Sequence, residues 1–348
     1  METVDDPAYP SQEHLDFIRG AAAFCVLINH VRGAMFIGGE RLGGLHAAAS
    51  DLLAVAALQV TAFGLQAVAL FFILSGFAMA HSLSRPGGIG RFYLRRALRV
   101  WPPYALACVA ALAVGHIVGA SDIQQRFWQV LFYIDPGTTT SPQFWSLPYE
   151  IAFYAIAPLV VRNERNAWIT LAISVAIAAG IVANYGANLH PAPWFLVNFA
   201  GDAMPFFAVG ALLHFRLSAV PVLSKGWLGA ALAALLAVIL LLRRQLGEVH
   251  LLTLALMIPF AALLFRNIRG RIPAWANLGS FSYSIYIFHY AAIALAVWYL
   301  RTNWGIDAGS IRNPFAWLAL VPLVLAYCLT MYALSEKWSN RAVARLRQ

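Results

Sequence analysis

Apolar residues fill most of the chain, and polar ones punctuate it at helix-length intervals. Runs bounded by charge, proline or glycine predict helices at about 15–36, 60–82, 101–119, 144–161, 166–184, 201–216, 226–243, 250–265, 281–299 and 315–336. Most reach the roughly 17–25 residues that cross a bilayer as a helix. The pattern therefore predicts an all-α, polytopic membrane protein with about ten transmembrane helices, its bilayer contact made by the apolar runs. Residues 47–59 read as an extension of the second helix or a short surface helix, and 121–143 as a longer loop containing DPGTTTSPQ. There is no internal repeat and no low-complexity segment. Residues 1–348 read as one integral-membrane domain with a polar tail at 1–13, a basic tail at 338–348 and no appended soluble domain. The N-terminus lacks the basic region of a signal peptide.

Composition sharpens this picture. The chain is 61% hydrophobic and 11% charged, where a soluble domain is roughly 45–50% apolar and about 25% charged. Cys25, Cys108 and Cys328 all lie within apolar runs without paired or metal-type spacing, so they read as small buried hydrophobes and no metal is expected. The net charge of +9 is best explained by loop arginines that set topology and meet anionic lipid, not by a nucleic-acid partner. With the 83–100 loop in the cytoplasm, most basic residues fall on the inner side. Arg32, Arg41, Arg126, Arg243, Arg244, Arg301 and Arg312 fall outside, the twin Arg243-Arg244 fitting least well. This asymmetry and an even number of spans place both termini in the cytoplasm.

The informative residues are polar ones inside apolar runs. In LDFIRGAAAFCVLINH, residues 15–30, Arg19 and His30 are eleven positions apart. On a helix they fall within roughly 20° of one face, about 16 Å apart along the axis. An arginine at the centre of a membrane helix costs roughly 2.5–3.5 kcal/mol on insertion scales, so Arg19 is either functional or a snorkelling residue paired with Asp16. His30 is either chemical or an interhelical hydrogen-bonding group. In FFILSGF, residues 71–77, Ser75-Gly76 suits close helix packing. RFYLRRALRVWPPY, residues 91–104, reads as a short amphipathic basic segment with a break or new helix at Pro102-Pro103. Its arginines are either lipid-facing or a site for a phosphate-bearing ligand, which the guanidinium fork binds well. Glu150 lies within the apolar run FWSLPYEIAFYAIAPL among Trp145, Tyr149, Phe153 and Tyr154 and requires a partner. His289 sits beside a Ser/Tyr-rich face in LGSFSYSIYIFHY, where Ser282, Ser284 and Tyr286 serve most simply as interhelical glue. His81, His116, His214 and His250 receive no role, and Asp202 is placed to cap the sixth helix.

In order and spacing these stretches together resemble the acyltransferase family 3 of integral-membrane acyltransferases, over nearly the full length. LDFIRGAAAFCVLINH is similar to the family's opening motif with its Arg-x10-His spacing, and FFILSGF to its Phe-Phe-x-x-Ser-Gly motif. Arg96-Ala97-Leu98-Arg99 resembles its Arg-x-x-Arg, FWSLPYEIAFY its Trp-Ser-Leu-x-x-Glu-x-x-Phe-Tyr stretch, and SYSIYIFH its late Ser-Tyr-x-x-Tyr-x-x-His element. The resemblance implies transfer of an acyl group, commonly acetyl, from cytoplasmic acyl-CoA to a hydroxyl of a cell-surface or secreted carbohydrate, such as an exopolysaccharide or a lipid-linked glycan. It places the protein in a bacterial inner membrane.

On that resemblance His30 is the general base or acyl relay, supported by Arg19, and Glu150 lines or supports the site. Arg96 and Arg99 hold the CoA phosphates, and Phe71, Phe72, Ser75 and Gly76 line the donor channel. Asp16, Trp145, Tyr149, Ser282, Tyr286 and His289 serve as substrate contacts or structural support. Pro148 and Tyr149 stand where many members carry a small residue and an acidic one, so no second carboxylate precedes Glu150. Many relatives also carry a C-terminal hydrolase-like domain. This chain ends at Gln348 without one, so it is expected to act alone or with a separate periplasmic partner. The alternative class is a multi-pass transporter of a lipid-linked or small polar solute, which also uses buried Arg, His and Glu. The internal repeats and paired broken helices common in transporters are not evident in the sequence.

Overall fold

Every regular element in the computed structural model is helical, and no strand occurs among the described residues, which are 9–35, 61–84, 88–185, 195–246, 250–273, 278–306 and 316–346. The main helices are α1 (Gln12–Met35), α2 (Gly64–Leu83), α3 (Ile89–Val118), α4 (Ser121–Leu131), α5 (Leu147–Val160) and α6 (Glu164–Tyr185). They continue as α7 (Phe195–Asn198), α8 (Met204–Arg216), α9 (Lys225–Leu246), α10 (His250–Asn267), α11 (Ser282–Trp304), α12 (Leu320–Leu334) and α13 (Glu336–Arg345). The 47–59 stretch and Arg41, Arg85, Arg312 and Arg347 lie outside the described residues.

Among the described residues, six segments are by themselves long and apolar enough to cross a membrane: Gly64–Leu83, Ile89–Val118, Glu164–Asn184, Phe195–Ala219, Leu278–Trp304 and Trp317–Leu334. The other expected spans differ in length or polarity. Helix α1 has 24 residues but carries Glu13, Asp16, Arg19 and Arg32, and α5 has only 14. Lys225–Leu241 and Ala255–Asn267 are shorter apolar helices.

Four local expectations change, the first at 121–143: this stretch, expected as a loop, begins with the 11-residue helix α4. Pro102-Pro103 does not break the chain: α3 runs through both prolines for 30 residues. The prolines withdraw the amide donors that would bond the carbonyls of Leu98 and Arg99. The helix nevertheless keeps a buried stripe of Val100, Tyr104, Ala107, Cys108 and Ala111, spaced as one helix face. Asp202 does not cap α8, whose N-cap is Ala203 without a side-chain bond. It lies instead in a π-helical turn, Phe199–Ala203. The C-terminal basic stretch is largely helical, as α13.

The chain packs as two units. One comprises Met1–Arg19, Val68–Phe92 and Tyr149–Asn277, and the other Gly20–Ala67, Tyr93–Pro148 and Leu278–Gln348. In the first, α2 and α8 approach at backbone distance. A Cβ added to Gly76 would lie 2.0 Å from the Phe207 carbonyl oxygen, and one added to Gly210 would lie 1.9 Å from that of Ile73. Only glycine permits this crossing, the usual purpose of small residues where membrane helices meet.

In the second unit, α1 lies along the start of α11. A Cβ on Gly20 would be 2.6 Å from the Gly279 nitrogen, and ten residues further along both segments His30 meets His289. Both contacts advance in the same direction, so the two segments run parallel over about 15 Å. The N-terminus of α11 has no cap of its own. Glu336 of α13 supplies one, its Oε2 accepting from the Ser284 amide at 2.8 Å and the Ser284 hydroxyl at 2.6 Å. A carboxylate there meets both an orphan amide and the positive end of the helix dipole.

The loop after α4 is tied down by Asp122, in the first turn of that helix. Its carboxylate accepts from the Thr139 amide at 2.7 Å, the Thr139 hydroxyl at 3.0 Å and the Ile123 amide at 2.9 Å, with Arg126 at 3.7 Å. Burial alone would raise its pKa, but these bonds and the Arg126 charge outweigh it and hold the carboxyl below its ordinary range. A depressed folded-state pKa contributes stability that is full above the unfolded value, about 3.9, and is lost as pH falls through the folded value. Asp122→Asn is therefore expected to lower the thermal midpoint in detergent at neutral pH. The gap from the parent should close as the buffer is taken below about pH 4. A gap that persists in acid would mean that the carboxylate charge is not what stabilises the loop.

Candidate active site

Helices α1 and α11 bring two imidazoles into direct contact. His30, half-buried, and His289, fully buried, place Nδ1 of the first 2.7 Å from Nε2 of the second. The ring planes lie 9° apart with centroids 5.0 Å apart. That separation exceeds the N···N distance by roughly the two ring radii, so the rings meet edge to edge, as in an N–H···N hydrogen bond, and not face on face. The far nitrogen of His289, Nδ1, lies 2.8 Å from the Ile285 carbonyl one turn back. Tyr290 packs its ring across His30 at 82° and 5.4 Å.

A second network braces the same part of α11. Gln143, just inside the 3-10 turn Pro142–Ser146, donates its amide to the Ile287 carbonyl at 3.0 Å. Its backbone carbonyl accepts the Tyr286 hydroxyl at 3.0 Å, and Ser146 Oγ lies 2.5 Å from the same hydroxyl. Gln143 Oε1 is buried without a hydrogen-bond partner among the described residues. The Ser282 hydroxyl turns back to the Gly279 carbonyl at 2.9 Å, so it closes the turn that begins α11.

In the other unit Glu150 accepts hydrogen bonds from the hydroxyls of Tyr154 and of Ser75, the latter at 3.5 Å. Phe72 lies beside Phe207, whose ring stacks on Phe153 at 3.8 Å. Gly76 touches the Phe207 backbone, so here it serves the helix crossing. Tyr149 stacks on Phe195 and Phe199. Arg19 pairs with Asp16, which also accepts from Gln12 at 3.0 Å. Phe71 and Trp145 are half-buried on α2 and the Pro142–Ser146 turn. Arg96 and Arg99, three residues apart on α3, are half-buried on neighbouring positions of one face.

Sequence reasoning named His30 and His289 but not their contact, and it missed Tyr290, Gln143 and the role of Tyr154. Tyr154 was within reach, because i, i+4 spacing places it over Glu150 on a helix. Gln143 and Tyr290 carry no sequence signal of their own. Among the described residues no group of three or more His, Cys, Asp or Glu gathers as a metal site.

Comparison with known proteins supplies the class of chemistry. The chain is 27% identical over 262 residues to nodulation protein 10 of Rhizobium leguminosarum bv. viciae, covering 64% of this chain and 68% of that protein. It is 24% identical over 314 residues to acyltransferase MdmB of Streptomyces mycarofaciens, covering 79% of this chain and 77% of that one. No solved structure matches it. The profile of the acyltransferase domain family matches residues 13–333, which include both histidines, Glu150 and the arginine pair. The chain therefore belongs to the acyltransferase domain family, and it is a helical membrane acyltransferase.

Proposed function

We propose that the protein transfers an acyl group, most simply acetyl, from cytoplasmic acyl-CoA to a hydroxyl of a cell-surface or secreted carbohydrate, with His30 as the general base. The observation that carries this reading is the half-buried His30 imidazole, oriented by His289, in a chain whose family performs acyl transfer. Histidine suits the step because its unperturbed pKa of about 6.5 lets it take a proton from an alcohol near neutral pH. A thioester is already activated, so the protein's tasks are to position the hydroxyl, remove its proton and stabilise the tetrahedral oxyanion.

Arg96 and Arg99 hold the CoA phosphates in this reading, since planar guanidinium groups bind phosphate oxygens bidentately. Phe71, Phe72 and Ser75 line the donor's path, and Arg19 and Glu150 support the site. The basic residues favour an arrangement of about ten spans in an inner membrane with both termini cytoplasmic. The parallel run of α1 and α11 supports the count: parallel helices enter from the same side, so α11 must be an odd-numbered span if α1 is the first. Any soluble partner would act on the acceptor side.

Two experiments test the reading. Mass spectrometry of surface glycans and secreted metabolites, with and without the protein, should show an acyl mass difference on one component. An unchanged profile would contradict a carbohydrate acceptor. For the donor, Arg96→Ala and Arg99→Ala should each raise the KM for acetyl-CoA about tenfold, the scale of a hydrogen bond between charged groups. An unchanged KM would remove the arginines from the donor site.

A further inference from the structure

The hydrogen-bond chain through the two histidines assigns a proton to each nitrogen. The Ile285 carbonyl can only accept, so Nδ1 of His289, 2.8 Å away, must carry a hydrogen. A neutral imidazole has one N–H, so Nε2 of His289 presents a lone pair. That lone pair faces Nδ1 of His30 at 2.7 Å, edge to edge. Two lone pairs cannot face each other at this distance, so His30 Nδ1 carries the hydrogen and donates it. The unprotonated nitrogen of His30 is then Nε2, the atom on the far side of the ring from His289.

We propose that His289 is a positioning residue that locks His30 in its Nδ1–H tautomer, leaving Nε2 as the base that takes the acceptor's proton. The proposal rests on the acyl-transfer reading of His30. In the reaction, His30 Nε2 removes the proton of the acceptor hydroxyl while its oxygen forms a bond to the thioester carbonyl carbon. When the tetrahedral species collapses, the C–S bond breaks and the Nε2 proton passes to the departing thiolate, giving an ester, a free thiol and a neutral His30. Throughout, Nδ1–H of His30 remains bonded to His289, so the transient positive charge on His30 is stabilised by an acceptor already in place. His289 never touches the reacting atoms.

The fold explains why this arrangement is held firmly. His289 is fully buried and its donor goes to the backbone of its own helix, which cannot turn away. The close Gly20–Gly279 approach fixes the spacing of α1 and α11 one membrane leaflet's length away, and the Tyr290 ring blocks rotation of His30 on another side.

Magic-angle-spinning NMR of protein containing 15N-labelled histidine, in lipid bilayers at neutral to mildly alkaline pH, reads the tautomer directly. The chain has nine histidines, and His30→Gln identifies the signals of His30 by their loss. The expected spectrum has a pyridine-type nitrogen at Nε2 of His30 and a pyrrole-type nitrogen at Nδ1. A pyrrole-type Nε2 in the parent protein would overturn the proposal.

The kinetic arm measures thiol release from acetyl-CoA in proteoliposomes given the envelope glycan fraction. His289→Leu should lower kcat roughly 100-fold, the lower range of a positioned proton transfer, with the KM for acetyl-CoA unchanged. His289→Gln should recover most of that loss, because its carbonyl can accept from His30 while its amide reaches Ile285. A His289→Leu protein with parental kcat would overturn the proposal. Failure of the underlying reading looks different: His30→Gln would then retain full activity, whatever the spectrum shows.

Discussion

Replacing His30 with alanine or glutamine is expected to remove roughly 10²- to 10⁴-fold of kcat, the range of a general base in acyl transfer. The two variants separate chemistry from packing. Alanine deletes both the base and the hydrogen bond to His289, leaving a buried acceptor without a partner at a cost of about 1–3 kcal/mol. Glutamine can still donate an amide N–H to His289 Nε2 but offers no basic nitrogen. His30→Gln should therefore melt near the parent while being as inactive as His30→Ala. The KM for acetyl-CoA should change little in either, because the base acts in the transition state and not in donor binding. Thiol release from acetyl-CoA and thermal unfolding in detergent check both halves. His30→Gln with near-parental turnover would remove His30 from the chemistry.

The second large effect falls on stability. Gly76→Ala and Gly210→Ala each place a methyl about 2 Å from a backbone carbonyl of the facing helix, Phe207 in one case and Ile73 in the other. Flexible side chains could move aside, but here the obstruction is main chain on both sides of one crossing. Relief requires α2 and α8 to separate, which exposes the stacked pair Phe153–Phe207 and the Phe72 ring tilted against it. Overpacking typically costs about 1–3 kcal/mol, and these positions should lie at or above the top of that range. Size-exclusion chromatography should show little monodisperse protein for either variant. Gly180→Ala is the control, since its Cβ would meet nothing within 4 Å and alanine favours a helix by about 1 kcal/mol. Normal folding of Gly76→Ala with weakened acetyl-CoA binding would instead place Gly76 in the donor channel.

The sequence made much of this legible because its strongest signals are local. Apolar run lengths and the polar residues interrupting them placed α1, α2, α6, α8, α11 and α12 close to where they lie. The Arg19–Asp16 pair could be anticipated because helical spacing brings the two together. What stayed hidden depends on long-range packing. His30 and His289 are 259 residues apart, and nothing in either run states that their helices are parallel neighbours. That relation comes from Gly20 and Gly279, whose small size is conspicuous only once both backbones are seen together. Glu336 stood without a role at the end of the 315–336 run, yet it caps a helix 52 positions earlier. The Pro102-Pro103 pair misled for a different reason: local propensity argues for a break, and a continuous buried stripe on α3 overrides it.

The central claim is that this membrane protein transfers an acyl group from a thioester to a hydroxyl with His30 as base. The most direct test is release of free thiol from acetyl-CoA by the purified protein in proteoliposomes, measured with and without the envelope glycan fraction and repeated with His30→Gln. The account predicts thiol release that depends on the glycan fraction, matched by acetyl ester appearing on it, and absent from the variant. Glycan-dependent acetyl transfer of equal rate in parent and variant would contradict it.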